Sequence, residues 1–437
     1  MTDRSANAAH GSLAAPILGL CFLAALLLGV APLLAVAIIT LCAGLVLGYV
    51  ALGGTLPRAG LLILGLYGYS LFSAIVFGGI DSLTLETAAR WVEGEGRFFL
   101  TFWPFLALLA GAPRMATAPA DLDILVGILA WLALAAVLLR MGTEIRLYSS
   151  HHGAGAITGT LALFGIFALR DRPSLGLGLA TVAALIALLG SGSRTAVLAV
   201  ACAVSVVFAL SHDWKSALKV GALGAMFAAV MSFAFADQYA RLSGSGNGAT
   251  VQAMAVSFAV AATANPPAES DRALAVLGQI DVEQNANLAI RGYLWGRAWR
   301  EFLTSPFAGS GFGRYNDTGR YFTPFVPGIT AATDARVPNP DQHSAHNSFL
   351  QFAAELGGLG LGLVLLAALS HWRLFSRSLN TEKSRFHGEL GLALVAYLGF
   401  SSLTQHALGA PIYGLTSLAL LGLISGEALS KSSEHAP

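Results

Sequence analysis

The chain has 437 residues, of which 55% are hydrophobic and only 11% charged. A soluble domain of this size carries about 25% charged residues, so a water-soluble globular enzyme is excluded and a chain solvated mainly by lipid is implied. The formal net charge of +1 says nothing useful about partners, because the position of charge matters more than its sum; no nucleic-acid partner is expected.

A helix needs about 20 mostly apolar residues to cross the hydrocarbon. The polar stretch from Met1 to about Gly11 leads into an apolar run that lacks a small-residue cleavage site, so that run reads as a first span and not as a removed signal peptide. In chain order the expected spans are Leu13–Val30, Leu33–Ala51, Ala59–Ile80, Phe98–Ala112, Asp123–Leu139, Gly153–Leu169, Ser174–Gly190, Thr195–Leu210, Ala217–Ala236, His346–Ser370, Glu389–Thr404 and Pro411–Leu429. The fold class is therefore an all-α polytopic membrane protein with about 12 transmembrane helices. Three regions follow: nine spans over residues 1–236, one long loop over 237–345, and three spans over 346–437. The three cysteines, Cys21, Cys42 and Cys202, lie inside the apolar runs, so neither a disulfide framework nor a metal site is expected from them.

Basic residues of short loops set the orientation. With a cytoplasmic N-terminus, the cytoplasmic loops hold Arg58, Arg114, Arg170, Arg172, Lys215, Lys219, Arg373, Arg377, Lys383 and Arg385, and Lys431 follows in the tail. All four lysines then fall on one side, and the long loop falls outside. Its eight arginines are exempt from the charge rule because the loop is long.

Within that loop, Ser243–Gly248 is a flexible turn segment, and Thr250–Ala264 is apolar but too short to span, which suits an interfacial or buried helix. Ala289–Leu303 reads as a helix, followed by the glycine-rich Gly309–Gly313 and the proline-rich Thr323–Pro340. On that helix Arg291 shares a face with Trp295, Ala298 and Phe302, while Arg297 and Arg300 point the other way, toward expected solvent. An arginine on an apolar face requires an ion pair or an anionic ligand.

Two more polar intrusions lie at the same membrane boundary. Arg194 sits in a tight turn between two spans, where interfacial snorkelling is the competing explanation. His346 and Asn347 open the tenth span. A face from His346 carries Leu350, Ala353, Gly357 and Gly360, and an adjacent stripe carries Asn347, Gln351 and Glu355 into the bilayer. Polar residues within a span face the bundle interior or a wet cavity, and a histidine suits general-base work. His343 and His346 are three apart, a metal-ligand spacing, yet no further ligand cluster lies nearby, so no metal is assigned. His151 and His152 lie in another loop on this side.

Together these pieces resemble the O-antigen ligase family. The resemblance rests on Arg194-Thr195-Ala196-Val197-Leu198, on Arg291-Gly292-Tyr293-Leu294-Trp295 continuing to Pro306-Phe307-Ala308-Gly309-Ser310-Gly311-Phe312-Gly313, and on His346-Asn347 followed by Gly357-Gly358-Leu359-Gly360. It covers about Gly190 to Ser370. It implies a GT-C-like fold in the bacterial inner membrane. It also implies transfer of a glycan from undecaprenyl pyrophosphate to a sugar hydroxyl of lipid A–core oligosaccharide on the periplasmic side, with no cofactor and no required metal. Under that reading Arg194 and Arg291 hold the donor pyrophosphate, with Arg314 as a further candidate, because a guanidinium pairs with phosphate oxygens and stays charged. His346 is the general base on the acceptor hydroxyl, with His343 and Asn347 in supporting positions.

The nearest rival is an O-antigen polymerase, which uses the same donor and a second lipid-linked glycan as acceptor. A ligase for another surface glycan is a further alternative. A transporter of the lipid-linked glycan is a different class. It should show repeat symmetry or broken helices in both halves, and neither is legible in the sequence.

Overall fold

The computed structural model describes residues 14–27, 32–51, 56–77, 97–111, 119–142, 151–211, 215, 218, 254–255, 257–259, 261–262, 282–313, 315 and 344–433. Twelve α-helices have described bounds: α1 (Ala14–Leu27), α2 (Pro32–Ala51), α3 (Arg58–Val76), α4 (Arg97–Gly111), α5 (Pro119–Gly142), α6 (His151–Asp171), α7 (Leu175–Gly190), α8 (Arg194–Ser211), α9 (Val282–Thr304), α10 (Ser348–Ser378), α11 (Arg385–Thr404) and α12 (Pro411–Ser433). No strand occurs among the described residues.

Seven of these helices are long and apolar enough to cross a membrane: α3, α5, α6, α8, α10, α11 and α12. Helices α1, α2, α4 and α7 are apolar but contribute shorter segments. The protein is thus a multi-pass membrane protein, and eleven of the expected spans coincide with helices. The remaining one, Ala217–Ala236, lies outside the described residues. Side chains such as Leu45, Leu61, Phe72, Ile124, Trp131 and Leu198 are exposed on the outside of the bundle, where hydrocarbon is their natural solvent.

With lipid outside, the interior is held by close packing and by short polar contacts. Thr158 on α6 and Thr181 on α7 return their hydroxyls to carbonyls four residues back, so they enter an apolar interior without an unpaired donor. Thr160 instead also meets Ser417 of α12 at 2.6 Å, which links two helices. At the end of the bundle opposite Arg194, Arg170 and Arg385 share Glu389, and Arg172 holds Asp123 with two bonds of 3.1 and 2.7 Å.

The feature that shapes the rest is a break inside α10. Gly357 has φ 63° and ψ −163°, a region open essentially only to glycine. The break frees carbonyls of α10, and the glycine-rich segment after α9 takes them. Ser310 N–H donates to Ala354 O at 2.8 Å and Gly311 N–H to Glu355 O at 3.1 Å. In return Gly358 N–H donates to Pro306 O at 2.7 Å and Leu359 N–H to Phe307 O at 3.2 Å. Tyr69 of α3 adds its hydroxyl to Ala308 O and Leu356 O. The two glycine-rich motifs therefore meet as one backbone junction. Gly357 and Gly358 of α10 thus admit a loop backbone at close range. One broken helix is present, because a positive-φ glycine inside an apolar run has no periodicity to betray it.

Candidate active site at one end of the bundle

Four approaches to one turn build the site. That turn, residues 405–410, joins α11 to α12, and the last residues of α11, Leu403 and Thr404, belong to the same junction.

The first approach is the start of α10. The helix begins at Ser348, with Asn347 as its N-cap: Asn347 Oδ1 accepts from Leu350 N–H at 3.0 Å. His346 is thus not on a helical face, contrary to the sequence expectation. It stands one residue before the cap with φ 48°, a conformation uncommon outside glycine. The cap competes with helix continuation, and the cap wins. Asn347 also donates from Nδ2 to Leu403 O at 3.0 Å, and Ser348 donates from N and Oγ to Gln405 O. Leu408 N–H donates back to Ser348 Oγ at 3.1 Å. These bonds clamp the start of α10 to the turn and set His346 beside His406.

His406 has a ring nitrogen, Nδ1, shut from solvent with no partner, and its ring stands 6.0 Å from that of Phe352. Burial, and secondarily the charge of His346, push its pKa down to about 3. His406 is therefore neutral near pH 7, and any imidazolium in this pair resides on His346.

The second approach is α9. It runs Val282–Thr304, longer at its start than the expected Ala289–Leu303. Arg291 is half-buried and donates from Nη1 to Thr404 O at 3.2 Å. Burial pulls its pKa down from the usual arginine value, with the Tyr413 phenol acting in the opposite sense. A carbonyl is a neutral partner, so the guanidinium keeps its charge for an anion. Gly292 presses α9 against a second helical segment, since a Cβ there would lie 2.2 Å from Met254 O. The described residues between 254 and 262 are helical, as expected for that apolar stretch.

The third and fourth approaches are α6 and the start of α8. Ser191 and Gly192 form the turn before α8, Gly192 at φ 73°, and Arg194 opens α8 with an exposed side chain. Gly155 of α6 lets this turn come close, because a Cβ there would lie 2.4 Å from Ser193 Cβ. His152, one of the two histidines left open by sequence, is thereby placed between Ser193 Oγ at 3.5 Å and Gln405 Nε2 at 2.8 Å. An amide N–H donates, so His152 Nδ1 accepts and its proton sits on Nε2. Its ring lies edge-on to Tyr413 at 6.3 Å.

Beneath the site is a buried polar group. Gln351 and Glu355 are each 1% exposed, so the polar stripe of α10 does face the interior. Gln351 accepts from Ala345 N–H at 2.8 Å and donates to Glu355 Oε1 at 3.2 Å. Glu355 also accepts from the backbone N–H groups of Gly313 and Tyr315 and faces the Arg297 charge. Arg297 is 6% exposed, which corrects its assignment to a solvated face. It donates from Nη2 to Tyr315 O and lies 4.5 Å over the Tyr315 ring. The chain after α9 folds back over that face and removes it from solvent, and helical periodicity alone cannot reveal such a fold-back.

The structure therefore brings His346, Asn347 and Arg291 to one turn, and reaches Arg194 through Ser193, His152 and Gln405. Arg314 and His343 lie outside the described residues, as do Asn265-Pro266-Pro267 and Thr323–Pro340. Sequence reading missed Thr404, Gln405, His406 and Tyr413. The available signal was a Gln-His pair between two apolar runs on the Arg194 side. Among the described residues, no group of three or more His, Cys, Asp or Glu side chains is arranged to hold a metal.

Residues 179–365 match the O-antigen ligase family model, which is the family that the three motifs resemble. No curated protein sequence matches the chain. The matched stretch runs from within α7 into α10 and contains Arg194, Arg291, Arg297, His346 and Glu355. The match supports a surface-glycan function of the ligase or polymerase type, in which a lipid-linked glycan and a lipid acceptor are the general substrates.

Proposed function

We propose that the protein is an O-antigen ligase of the bacterial inner membrane, GT-C-like in fold. It transfers a glycan from undecaprenyl pyrophosphate to a sugar hydroxyl of lipid A–core oligosaccharide at the periplasmic side. The observation that carries this reading is the convergence of His346 and Arg291 on the α11–α12 turn within and beside the matched stretch.

The donor is already activated through its sugar–pyrophosphate bond. His346 takes the proton of the acceptor hydroxyl as its oxygen attacks the anomeric carbon. The bond to pyrophosphate breaks, and undecaprenyl pyrophosphate departs. Direct displacement inverts that carbon. Arg194 and Arg291 hold the pyrophosphate and stabilise the charge it gains, a large catalytic term for preorganised cations. Arg314 would add a third cation. The neutral state of His406 leaves His346 as the one imidazole of the pair that accepts a proton. Asn347 fixes the backbone beneath it. No cofactor or metal enters these steps.

The test uses purified protein with lipid-linked glycan and lipid A–core. His346→Ala should lower turnover by about 10²–10⁴-fold, and Arg194→Ala or Arg291→Ala should weaken donor use. Near-normal turnover by a folded His346→Ala protein overturns the base assignment, and loss of activity to a chelator overturns the metal-free chemistry. In a deletion strain, uncapped lipid A–core with accumulated lipid-linked polymer is expected. A single repeat on the core would instead indicate a polymerase.

A further inference from the structure

At the end of the bundle away from His346, a cavity of about 830 Å³ opens between α3, α10 and α12. It is lined by Arg58, Arg373 and Arg377. Arg373 and Arg377 are one turn apart on α10 and share a face. Other arginines at this end have carboxylates: Arg170 and Arg385 hold Glu389, and Arg172 holds Asp123. Among the described residues no carboxylate pairs with any of the three in the cavity. The first turn of α3 opens here too. Its N-cap is Pro57, which offers no side-chain bond, and the first intrahelical donor is Leu61. The preceding N–H groups are thus available to an anion at the positive end of the helix.

The floor of the cavity is closed by His371, whose ring packs against Phe105 and Phe375 and whose Nδ1 bonds Ala367 O at 2.8 Å. Leu366 and Leu369, 53% and 42% exposed, complete the rim with apolar surface suited to acyl chains.

We infer that this cavity binds an anionic glycerophospholipid. The phosphate sits among Arg58, Arg373, Arg377 and the first turn of α3, and the acyl chains lie along Leu366 and Leu369. This site is separate from the transfer site and does not depend on the reaction assigned there.

Native mass spectrometry on the full-length protein in neutral detergent tests it. Phosphatidylglycerol should bind about 10-fold or more tightly than phosphatidylethanolamine and than glycerol 1-phosphate. The Arg373→Gln/Arg377→Gln protein should lose about 10-fold in phosphatidylglycerol affinity. These side chains are exposed and have no carboxylate partner among the described residues, so the fold should hold, as circular dichroism will check. Unchanged binding by the double arginine variant overturns the site. Equal binding of glycerol 1-phosphate overturns the lipid assignment in favour of a free phosphate.

Discussion

Gly357→Ala tests whether the break in α10 organises the site. At φ 63° and ψ −163° a side chain costs about 1–3 kcal/mol in backbone strain alone. The added Cβ would lie 2.4 Å from the carbonyl carbon and oxygen of Phe307. Those atoms are backbone and cannot rotate away, so the segment after α9 must retreat. Four backbone hydrogen bonds cross this junction. Losing two removes about 1–3 kcal/mol at 0.5–1.5 kcal/mol each. The expected destabilisation is therefore about 2–6 kcal/mol, with transfer activity falling as α9 and Arg291 shift. Gly362→Ala is the control on the same helix, because a Cβ there meets nothing within 4 Å. It should be neutral, or stabilising by up to about 1 kcal/mol through helix propensity. Equilibrium unfolding in mixed micelles, followed by tryptophan fluorescence, measures both. A Gly357→Ala protein within about 1 kcal/mol of wild type, or one that matches Gly362→Ala, refutes the junction as the organiser.

Removing Arg297 as Arg297→Met should cost about 1–3 kcal/mol, because the Tyr315 carbonyl loses its donor and the Tyr315 ring its cation; Arg297→Lys, which keeps the cation, should recover part of that loss in the same unfolding assay. Arg291→Lys keeps a cation but loses the planar fork, so kcat/KM for the lipid-linked donor should fall about 10-fold or more, with stability changed by less than about 2 kcal/mol. His406 binds protons less readily folded, at about 3, than unfolded, at about 6.5. The unfolded state thus gains protons first, and stability falls as pH drops from about 6.5 toward 3. At pH 5 the full shift corresponds to about 2 kcal/mol, and partial exposure of the residue reduces this to about 1. His406→Phe should flatten the difference in stability between pH 7 and pH 5 by that amount, and an unchanged slope would show that His406 is not kept neutral by its surroundings.

The eleven helices that coincide with expected spans were legible because long apolar runs need no tertiary information. Arg291 was legible because an arginine on an apolar helix face has few explanations. His346 was found for an imperfect reason: it was placed on a helical stripe, yet it precedes the Asn347 cap in a left-handed conformation. The polar stripe of Gln351 and Glu355 was read correctly as interior, but its partner Arg297 was not. Periodicity reports which residues share a face and is silent on what later folds over it. The turn carrying Gln405 and His406 was passed over because two polar residues between spans look like any short loop.

That turn changes how the site is understood. The three motifs that carry the family resemblance lie on α8, α9 and α10, far apart in sequence, and among the described residues no hydrogen bond joins the side chains of Arg194, Arg291 and Asn347 to one another. Instead each is bonded to the backbone or side chains of residues 403–405, Arg291 to Thr404 O, Asn347 to Leu403 O, and the Arg194 turn through His152 to Gln405. The scaffold that sets their mutual geometry thus lies outside the matched stretch of residues 179–365. Carbonyl groups suit this task because they orient a guanidinium without neutralising it. On the proposed donor-binding role of Arg291, a carboxylate in the place of Thr404 O would fix the guanidinium more firmly and compete with pyrophosphate for it, so a carbonyl partner holds the arginine at low electrostatic cost to that role.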